Sequence, residues 1–363
     1  MTKDVLVIGQ GIAGTFLTWW LEQVGLTYLV IDEERPATAS RAAAGLINPV
    51  TGRRIVKTWM IDELLSFAEE AYASIGGELQ LSCLKPARVI DFFPTAQMRL
   101  AFLKRLEEDP RYLELPADEH AWDAQFHYQL GYGMITNCYL ADLPSLLAAW
   151  RRHLVDRNVL RPSSFDHRSL IKGDQQVQYE DITARHIIFC DGIESFHSPY
   201  FSRLPFAPNK GEALILDIPD LARSTPGASP AAPTGTPIFK KGLTLAPWKD
   251  GLFWVGSSYE WSFTHPNPTQ AFRQRTEALL KDWLKPSFRI LDHIASVRPA
   301  TIERRPFVGF HPVHPTVGIL NGMGTKGCSL APYFALQLVE HMVNGKPIQP
   351  DADVRRFTKI LSK

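Results

Sequence analysis

The residues whose types and spacing indicate chemistry begin with three glycines near the N-terminus. Gly9, Gly11 and Gly14 match G-x-G-x-x-G, and Asp32 follows about 20 residues later, as a dinucleotide site requires. Glycine has no Cβ, so such a turn lets a diphosphate approach the backbone while the N–H groups of the following helix face its charge. Asp32 would accept hydrogen bonds from ribose hydroxyls, with Glu33 as a second candidate. The predicted dinucleotide site, which does not distinguish NAD from FAD, comprises Gly9, Gly11, Ile12, Ala13, Gly14, Asp32 and Glu33.

A second glycine-rich turn lies near the other end of the chain. The segment ILNGMGTKGCSLAP, residues 319–332, places Gly322, Gly324 and Gly327 between an apolar strand-like run and an apolar helix-like run. It also carries a cation, Lys326. A turn of this composition either brings backbone close to a ligand or only begins a helix, and its purpose has to come from its context.

The elements that would position these turns can be read from hydrophobic periodicity. A short apolar run ends at Ile8 and another ends at Ile31, which is typical of strands buried on both faces of a parallel sheet. Between them, apolar residues recur at helical spacing from Phe16 to Val24. Further helices are predicted at 60–75, near 95–108, after a cap at Asp142 and near 268–284, and strands at KGEALILDI, LTLAPW and GLFWVGSSY. The Pro/Gly-rich stretch STPGASPAAPTGTP is predicted to be an exposed loop.

Composition narrows the functional classes. The formal net charge of +1 gives no basic excess, so a nucleic-acid partner is not expected. The four cysteines lack metal-ligand spacing, and FHPVHP reads as a turn, so no metal site is expected. No apolar run reaches the ~18 residues of a membrane span, and the N-terminus lacks a signal-peptide pattern. These features predict a cytoplasmic protein with no membrane span.

Several segments together resemble the D-amino-acid oxidase superfamily of FAD enzymes. They are VLVIGQGIAG, the Asp that ends the second strand, SRAAAGL, IIFCDG, SVRPATIERRPFVG and NGMGTKG followed by LAP. The likeness is strongest to glycine oxidase, monomeric sarcosine oxidase and the FAD domain of a tRNA-modifying methylaminomethyl-uridine enzyme. It implies an α/β fold in which a Rossmann-type FAD-binding domain is interleaved with a smaller α+β substrate domain built on an antiparallel sheet. We expect residues 1–78, 140–208 and 296–363 in the first domain and 79–139 and 209–295 in the second.

The resemblance assigns roles to both glycine turns. The first would hold the diphosphate and the second would approach the flavin, so that the two ends of the chain close on one FAD. It places Ser40, Arg41, Ala44, Gly45 and Leu46 along the diphosphate and flavin, Cys190, Asp191 and Gly192 near the adenosine, and Gly324, Thr325, Lys326 and Gly327 beside the flavin pyrimidine. The position of the flavin-linking cysteine of sarcosine oxidase corresponds to Arg298, which implies non-covalent FAD.

Members of this family pass a hydride from a carbon bearing an amine to flavin N5, so the protein mainly positions the substrate. The resemblance implies that Arg298 and Lys326, with Arg54 and Lys57 of the RRIVK segment, bind a carboxylate or carry charge near the flavin. Tyr259 is a possible substitute for a family tyrosine that is missing near Leu243 and Thr244. The expected partners are a small anionic amine substrate and O2 or another electron acceptor, with Lys240 or Lys241 a candidate for promoting reaction with O2.

Two other functions remain open at this point. One is a stand-alone enzyme that trims the side chain of a tRNA wobble uridine, against which the balance of 39 Lys+Arg and 38 Asp+Glu argues. The other is a flavin-binding regulator that has lost turnover.

Overall fold

Two large β-sheets organise the chain, and the computed structural model describes residues 1–223 and 236–363. Within these residues the strands are β1 (Thr2–Ile8), β2 (Tyr28–Ile31), β3 (Leu46–Ile47), β4 (Val50–Thr51), β5 (Val56–Lys57), β6 (Leu84–Phe92), β7 (Leu113–Glu114), β8 (Tyr132–Ala141), β9 (Leu160–Arg161), β10 (Leu170–Lys172), β11 (Val177–Tyr179), β12 (Ile182–Phe189), β13 (Asn209–Asp217), β14 (Thr236–Lys241), β15 (Leu243–Pro247), β16 (Phe253–Gly256), β17 (Arg289–Arg298), β18 (Phe307–Phe310) and β19 (Val317–Asn321). Residues 224–235 of the Pro/Gly-rich stretch lie outside the described residues.

In the described ranges the helices are α1 (Ile12–Gln23), α2 (Ala39–Ala42), α3 (Ile61–Leu79), α4 (Ala96–Glu108), α5 (Leu143–Asp156), α6 (Pro219–Arg223), α7 (Gln270–Trp283), α8 (Gly327–Asn344) and α9 (Thr358–Leu361). Helices α2, α4, α5 and α7 begin after a Thr or Asp side chain that caps them. The Asp142 carboxylate accepts a hydrogen bond from the N–H of Ser145 at 3.1 Å, which confirms the predicted cap of α5. Thr95 and Thr269 cap α4 and α7 in the same way.

The first sheet is the nucleotide-binding type of sheet that the opening motif predicts. Strands β9, β2, β1, β12 and β19 run parallel in that order, β18 pairs antiparallel with β19, and the β10–β11 hairpin pairs with the start of β12. In β1, Val5 to Ile8 are buried because helices cover one face and the hairpin region covers the other. The carboxyl ends of β1, β2, β12 and β19 meet at one edge, which brings Gly9, Asp32, Asp191 and Gly322 together.

The second sheet joins two distant parts of the chain. Its order is β17, β13, β16, β15, β14, β6, β8 and β3, with β7 also paired to β8. These pairings are antiparallel, as the resemblance implies, except that of β14 with β6, which is parallel. Segment 79–139 supplies β6, β7 and most of β8, while 209–295 supplies β13 to β16 and most of β17. The short strand β3 also pairs within this sheet, although it lies in the 1–78 segment, which was expected to belong to the other domain. The limits of the two domains stay a prediction.

Helices α1, α3 and α5 pack with α8 on one side of the first sheet. Helix α8 follows β19 directly, so the late glycine turn is held between a central strand and a helix that packs on α1. Of the helices in residues 1–223 and 236–363, none is long and apolar enough to cross a membrane. His311 and His314 lie in the turn between β18 and β19, as the two prolines of FHPVHP predict.

Candidate cofactor and substrate site

A large cavity of about 890 Å³ runs along the carboxyl edge of the first sheet and reaches the second sheet. One part is lined by Gly9, Gly11, Asp32 and Asp191. Another is lined by residues of β13, β17 and the segment after β16, including Arg298. Cavities of this size hold cofactors and substrates in proteins, so the cavity accommodates both predicted sites in one space.

The first glycine turn leaves the N-terminus of α1 open to the cavity. Gly9 has a φ of +98°, and a Cβ added there would lie 2.7 Å from the carbonyl oxygen of Cys190. Helix α1 begins at Ile12 after Gly11, which provides no side-chain cap. The N–H of Ile12 donates to the Ser40 hydroxyl at 3.0 Å. The turn therefore offers backbone N–H groups and a hydroxyl to an anion, as a diphosphate site needs.

Asp32 lies at the end of β2 and lines the cavity, as predicted. Its carboxylate accepts hydrogen bonds from the N–H of Gln10 at 2.9 Å and from the Arg151 guanidinium at 2.6 Å. Arg151 also pairs with Glu34, at 3.0 Å. Sequence analysis missed Arg151, because a cation inside the amphipathic pattern of α5 carries no signal of its distant partner.

Asp191 joins the end of β12 to the late glycine turn. Its Oδ1 accepts hydrogen bonds from the Ser195 hydroxyl and, at 3.3 Å, from the Asn321 side-chain amide. The same amide donates to the carbonyl oxygen of Gly192 at 2.8 Å, and the Asn321 oxygen accepts from the N–H of Gly322 at 2.8 Å. Burial raises the pKa of Asp191 to about 7, although the bonds from Ser195 and Asn321 oppose the rise. Cys190 and Gly192 line the cavity beside it.

Most of the other predicted cofactor residues also line the cavity. The lining includes Glu33, Ser40, Ala44, Gly45, Leu46, Gly324, Thr325, Lys326 and Gly327, together with Ile12 and Ala13. The N–H of Gly324 donates to the carbonyl oxygen of Pro299 at 3.1 Å, so the late turn lies directly against the segment that follows Arg298. Burial and the charges of Arg305 and Arg304 lower the pKa of the Lys326 amino group. Arg304, which also lines the cavity, was not foreseen.

Arg298 lies at the end of β17 with its guanidinium in the cavity. Its Nη1 donates to Asn209 Oδ1 at 2.5 Å and to the carbonyl oxygen of Ser258 at 3.3 Å, and the guanidinium stacks 4.8 Å from the Tyr259 ring centroid. Gly211 makes room for it, because a Cβ added there would lie 1.8 Å from Nη2. Burial lowers the pKa of Arg298, but an arginine stays charged. Among the described residues, no carboxylate pairs with this cation.

Four predicted residues, Lys57, Arg54, Arg41 and Gly14, are not part of the cavity lining. Lys57 pairs with Asp62, and Arg54 is exposed on the same β4–β5 hairpin region. The expectation that Arg54 and Lys57 lie over the flavin therefore has no geometric support, because this hairpin turns their charges outward. Arg41 pairs with Glu34 at 3.3 Å. Gly14 acts through packing, since a Cβ there would lie 2.0 Å from the carbonyl oxygen of Gly9.

Two lysines of the second sheet were candidates for the reaction with O2. Lys240 lines the cavity and pairs at 2.7 Å with Asp91, a carboxylate that is only 1% exposed. Lys241 instead donates to the carbonyl oxygen of His127 at 3.0 Å. Tyr259, the proposed substitute tyrosine, reaches the site by stacking on Arg298.

The donor set fits FAD. An open helix N-terminus and Ser40 would hold a diphosphate, Asp32 would hold a ribose, and the late turn with Lys326 would hold a flavin ring in the same cavity. No group of three or more His, Cys, Asp or Glu residues in the described parts of the chain is arranged to hold a metal ion.

Comparison with known structures supports the fold. The chain is similar to iminodiacetate oxidase from Chelativorans sp. BNC1, with a TM-score of 0.69, 21% identity and coverage of 95% of this chain and 96% of that one. It is similar to glycine oxidase from Geobacillus kaustophilus, with a TM-score of 0.76, 15% identity and coverage of 96% of both chains. L-proline dehydrogenase from P. horikoshii gives a TM-score of 0.74, 16% identity and coverage of 99% and 98%.

The sequence itself matches a family model, described as FAD dependent oxidoreductase, from residue 4 to residue 341. That span contains both glycine turns, all the cavity-lining residues named above, and the strands of both sheets except the first two residues of β1. The chain belongs to the DAO family of FAD-dependent oxidoreductases.

Proposed function

We propose that this protein oxidises a C–N bond of a small carboxylate-bearing amine, either an amino acid or an N-substituted glycine, to an imine that hydrolyses in water. The observation that carries the proposal is the Arg298 guanidinium, which lies in the cavity with no carboxylate partner among the described residues. A partly desolvated cation without a counter-ion is costly, and a substrate carboxylate would remove that cost with charge-assisted hydrogen bonds. The similar structures named above include oxidases and a dehydrogenase of such amines.

The chain's own residues have separate tasks in this reaction. When bound, FAD supplies the hydride acceptor. Asn209, the Ser258 carbonyl and the Tyr259 ring fix the Arg298 guanidinium, so that a bound carboxylate is oriented without a rearrangement of the protein. Lys326, which immediately precedes α8, would hold a positive charge at the turn that is expected to approach the flavin. Tyr259 and Trp261 line the cavity and are exposed, so in this proposal their rings would cover part of a bound substrate.

A general base from the protein is not required in this proposal, since an amine can lose its proton to solvent before oxidation. The electrons then pass from the flavin to O2 or to another electron acceptor. Lys240 is the cavity lysine that would favour O2, and its pairing with the buried Asp91 fixes its amino group in one place.

The test is an anaerobic mixing experiment with the purified holoenzyme and a panel of amino acids and N-substituted glycines. We expect the flavin absorbance to bleach with at least one acid and much more slowly with the corresponding amide or decarboxylated amine. Bleaching by amines and acids at equal rates would contradict the carboxylate assignment. If no small molecule bleaches the flavin, the proposal fails, and mixing with bulk tRNA then tests the tRNA-trimming alternative.

A further inference from the structure

The resemblance implies that Asp191 lies near the adenosine of FAD, but in the structure its carboxyl group is next to the first glycine turn, where the negatively charged diphosphate is expected. It lines the cavity together with Gly9 and Gly11. A Cβ added at Gly9 would lie 3.1 Å from the Asp191 Cα, so Asp191 lies directly against the first glycine turn. Diphosphates bind at such turns because the helix N-terminus favours negative charge. An ionised Asp191 would therefore repel the group that the turn attracts.

The hydrogen bonds of Asp191 leave one carboxyl oxygen free. Ser195 and Asn321 both donate to Oδ1, whereas Oδ2 has no partner among the described residues. No lysine or arginine of the described residues pairs with this carboxyl group.

The charged groups around Asp191 do not favour its ionised form. Glu194, in the turn that follows, adds like charge, and the nearby Arg35 is engaged by Glu194 and Glu33. On the β2 side, Asp32 has its own cation in Arg151. His167 also lines the cavity, and burial lowers its pKa, so it is neutral near pH 7. The Cys190 thiol is buried with a raised pKa and is neutral too.

We propose that Asp191 binds FAD as a neutral carboxylic acid, with Oδ2–H donating a hydrogen bond to a diphosphate oxygen, so that FAD binding takes up one proton from solvent. The inference rests on the FAD dependence of the family and is independent of the proposed substrate.

The sign of the pH dependence follows from this arrangement. Burial raises the pKa of Asp191 to about 7 before FAD binds, and a neighbouring diphosphate would raise it further. The affinity for FAD is therefore highest below about pH 7. It falls as the pH rises through that value, because the Asp191 carboxylate must then be protonated before FAD binds. A pKa of about 7 predicts a dissociation constant that increases about tenfold between about pH 6 and about pH 8.

The experiment measures the FAD dissociation constant across this pH range by dilution of the holoenzyme, with flavin fluorescence as the readout. Asp191→Asn keeps an acceptor for Ser195 and Asn321 and presents a donor at every pH, so we expect tight binding that does not change with pH. Asp191→Ala removes the donor, and its binding should be weaker and equally independent of pH. Asp32→Asn is the matched control: it alters another cavity carboxylate, one paired with Arg151, and should weaken binding while the pH slope of the wild type remains.

A wild-type dissociation constant that does not change with pH would overturn the proposal. So would an Asp191→Asn variant that keeps the wild-type slope, since another group would then be titrating. An ionised Asp191 that accepts bonds from FAD hydroxyls gives a third result, in which Asp191→Asn weakens binding at all pH values, and this also contradicts the proposal. If the variants do not fold, the proposal is tested by calorimetry of FAD binding to the flavin-free wild-type chain in buffers of different ionisation enthalpy. Near pH 8 we expect the uptake of about one proton for each FAD bound. Binding without proton uptake would refute the proposal.

Discussion

Replacing Arg298 by Leu tests the substrate site most directly. The guanidinium uses Nη1 to bond Asn209 and the Ser258 carbonyl, which leaves Nε–H and the Nη2 group without a partner among the described residues. Those two donors form the fork that binds a carboxylate with two parallel hydrogen bonds. Leucine removes the charge and the fork together. We therefore expect a large fall in kcat/KM for acid substrates and little change in kcat/KM for the corresponding amines that lack the carboxylate.

The magnitude follows from the surroundings of the ion pair. Arg298 is half-buried, and truncating one partner of a desolvated charge pair costs ~2–5 kcal/mol, whereas an exposed pair is worth ~1 kcal/mol or less. Because a factor of ten corresponds to about 1.4 kcal/mol, kcat/KM for the acid should fall by roughly 30-fold to 4,000-fold. Arg298→Lys keeps the positive charge but loses the two parallel donors. Its kcat/KM for the acid should therefore lie between those of the wild type and Arg298→Leu.

The assay compares kcat/KM for an acid and its decarboxylated amine in the wild type, in Arg298→Leu and in Arg298→Lys, with the flavin spectrum as a check on folding. Arg54→Leu is the matched control, because Arg54 is exposed and outside the cavity lining; its kcat/KM should stay within about threefold of the wild type. An Arg298→Leu variant with unchanged acid kinetics, or an Arg54→Leu variant with the larger loss, would refute the assignment.

Other substitutions test the packing and the charges around the site. Gly211→Ala should displace the Arg298 guanidinium, since the added Cβ would lie 1.8 Å from Nη2; KM for the acid should rise while the FAD content and the melting temperature change little, and an unchanged KM would contradict the geometry. Lys210→Met breaks a 3.1 Å ion pair with Glu212, in which the two side chains are 1% and 0% exposed. Urea unfolding should therefore show that the free energy of unfolding falls by ~3–5 kcal/mol. For the control Lys281→Met, which breaks an exposed pair, it should fall by ~0–1 kcal/mol. Burial lowers the pKa of His311 to about 4, so the folded state holds this side chain neutral. The free energy of unfolding should therefore fall as the pH drops from about 6.5 towards about 4. His311→Gln should make that decline shallower, and an equal decline in the variant would exclude His311 as the cause.

The first nucleotide motif could be predicted from the sequence because its parts are close along the chain. Gly9, Gly11 and Asp32 belong to one strand, helix and strand unit, and local periodicity together with the absence of Cβ atoms determines how that unit folds. The late turn was assigned to the flavin by resemblance, and the structure places Gly324 and Lys326 in the same cavity as Gly9. The helix that begins after Asp142 was likewise predictable from its cap and its apolar face.

The cations show where prediction from sequence stops. Arg298, Arg54 and Lys57 were all candidates for the substrate site, yet only Arg298 lines the cavity. Whether a cation faces the cavity depends on strand pairing. Strand β17 pairs with β13, which brings Asn209 and Gly211 to Arg298. In the β4–β5 hairpin, by contrast, Lys57 pairs with Asp62. Arg151 and Asp191 gained their roles in the same way, from partners more than a hundred residues away.

By itself, the sequence determined the local units of this protein: the first glycine turn with its strand and helix, the capped helices and the alternation of apolar strands. Such features depend on residues a few positions apart, where propensity and periodicity act directly. The tertiary structure alone decided that β6 and β14 pair in parallel, that Arg298 is held by Asn209 and Tyr259, and that Asp191 meets Asn321 beside the first turn. Those contacts join segments that no short-range pattern connects, and they form because burying both sheets and satisfying their polar groups leaves these residues in one cavity.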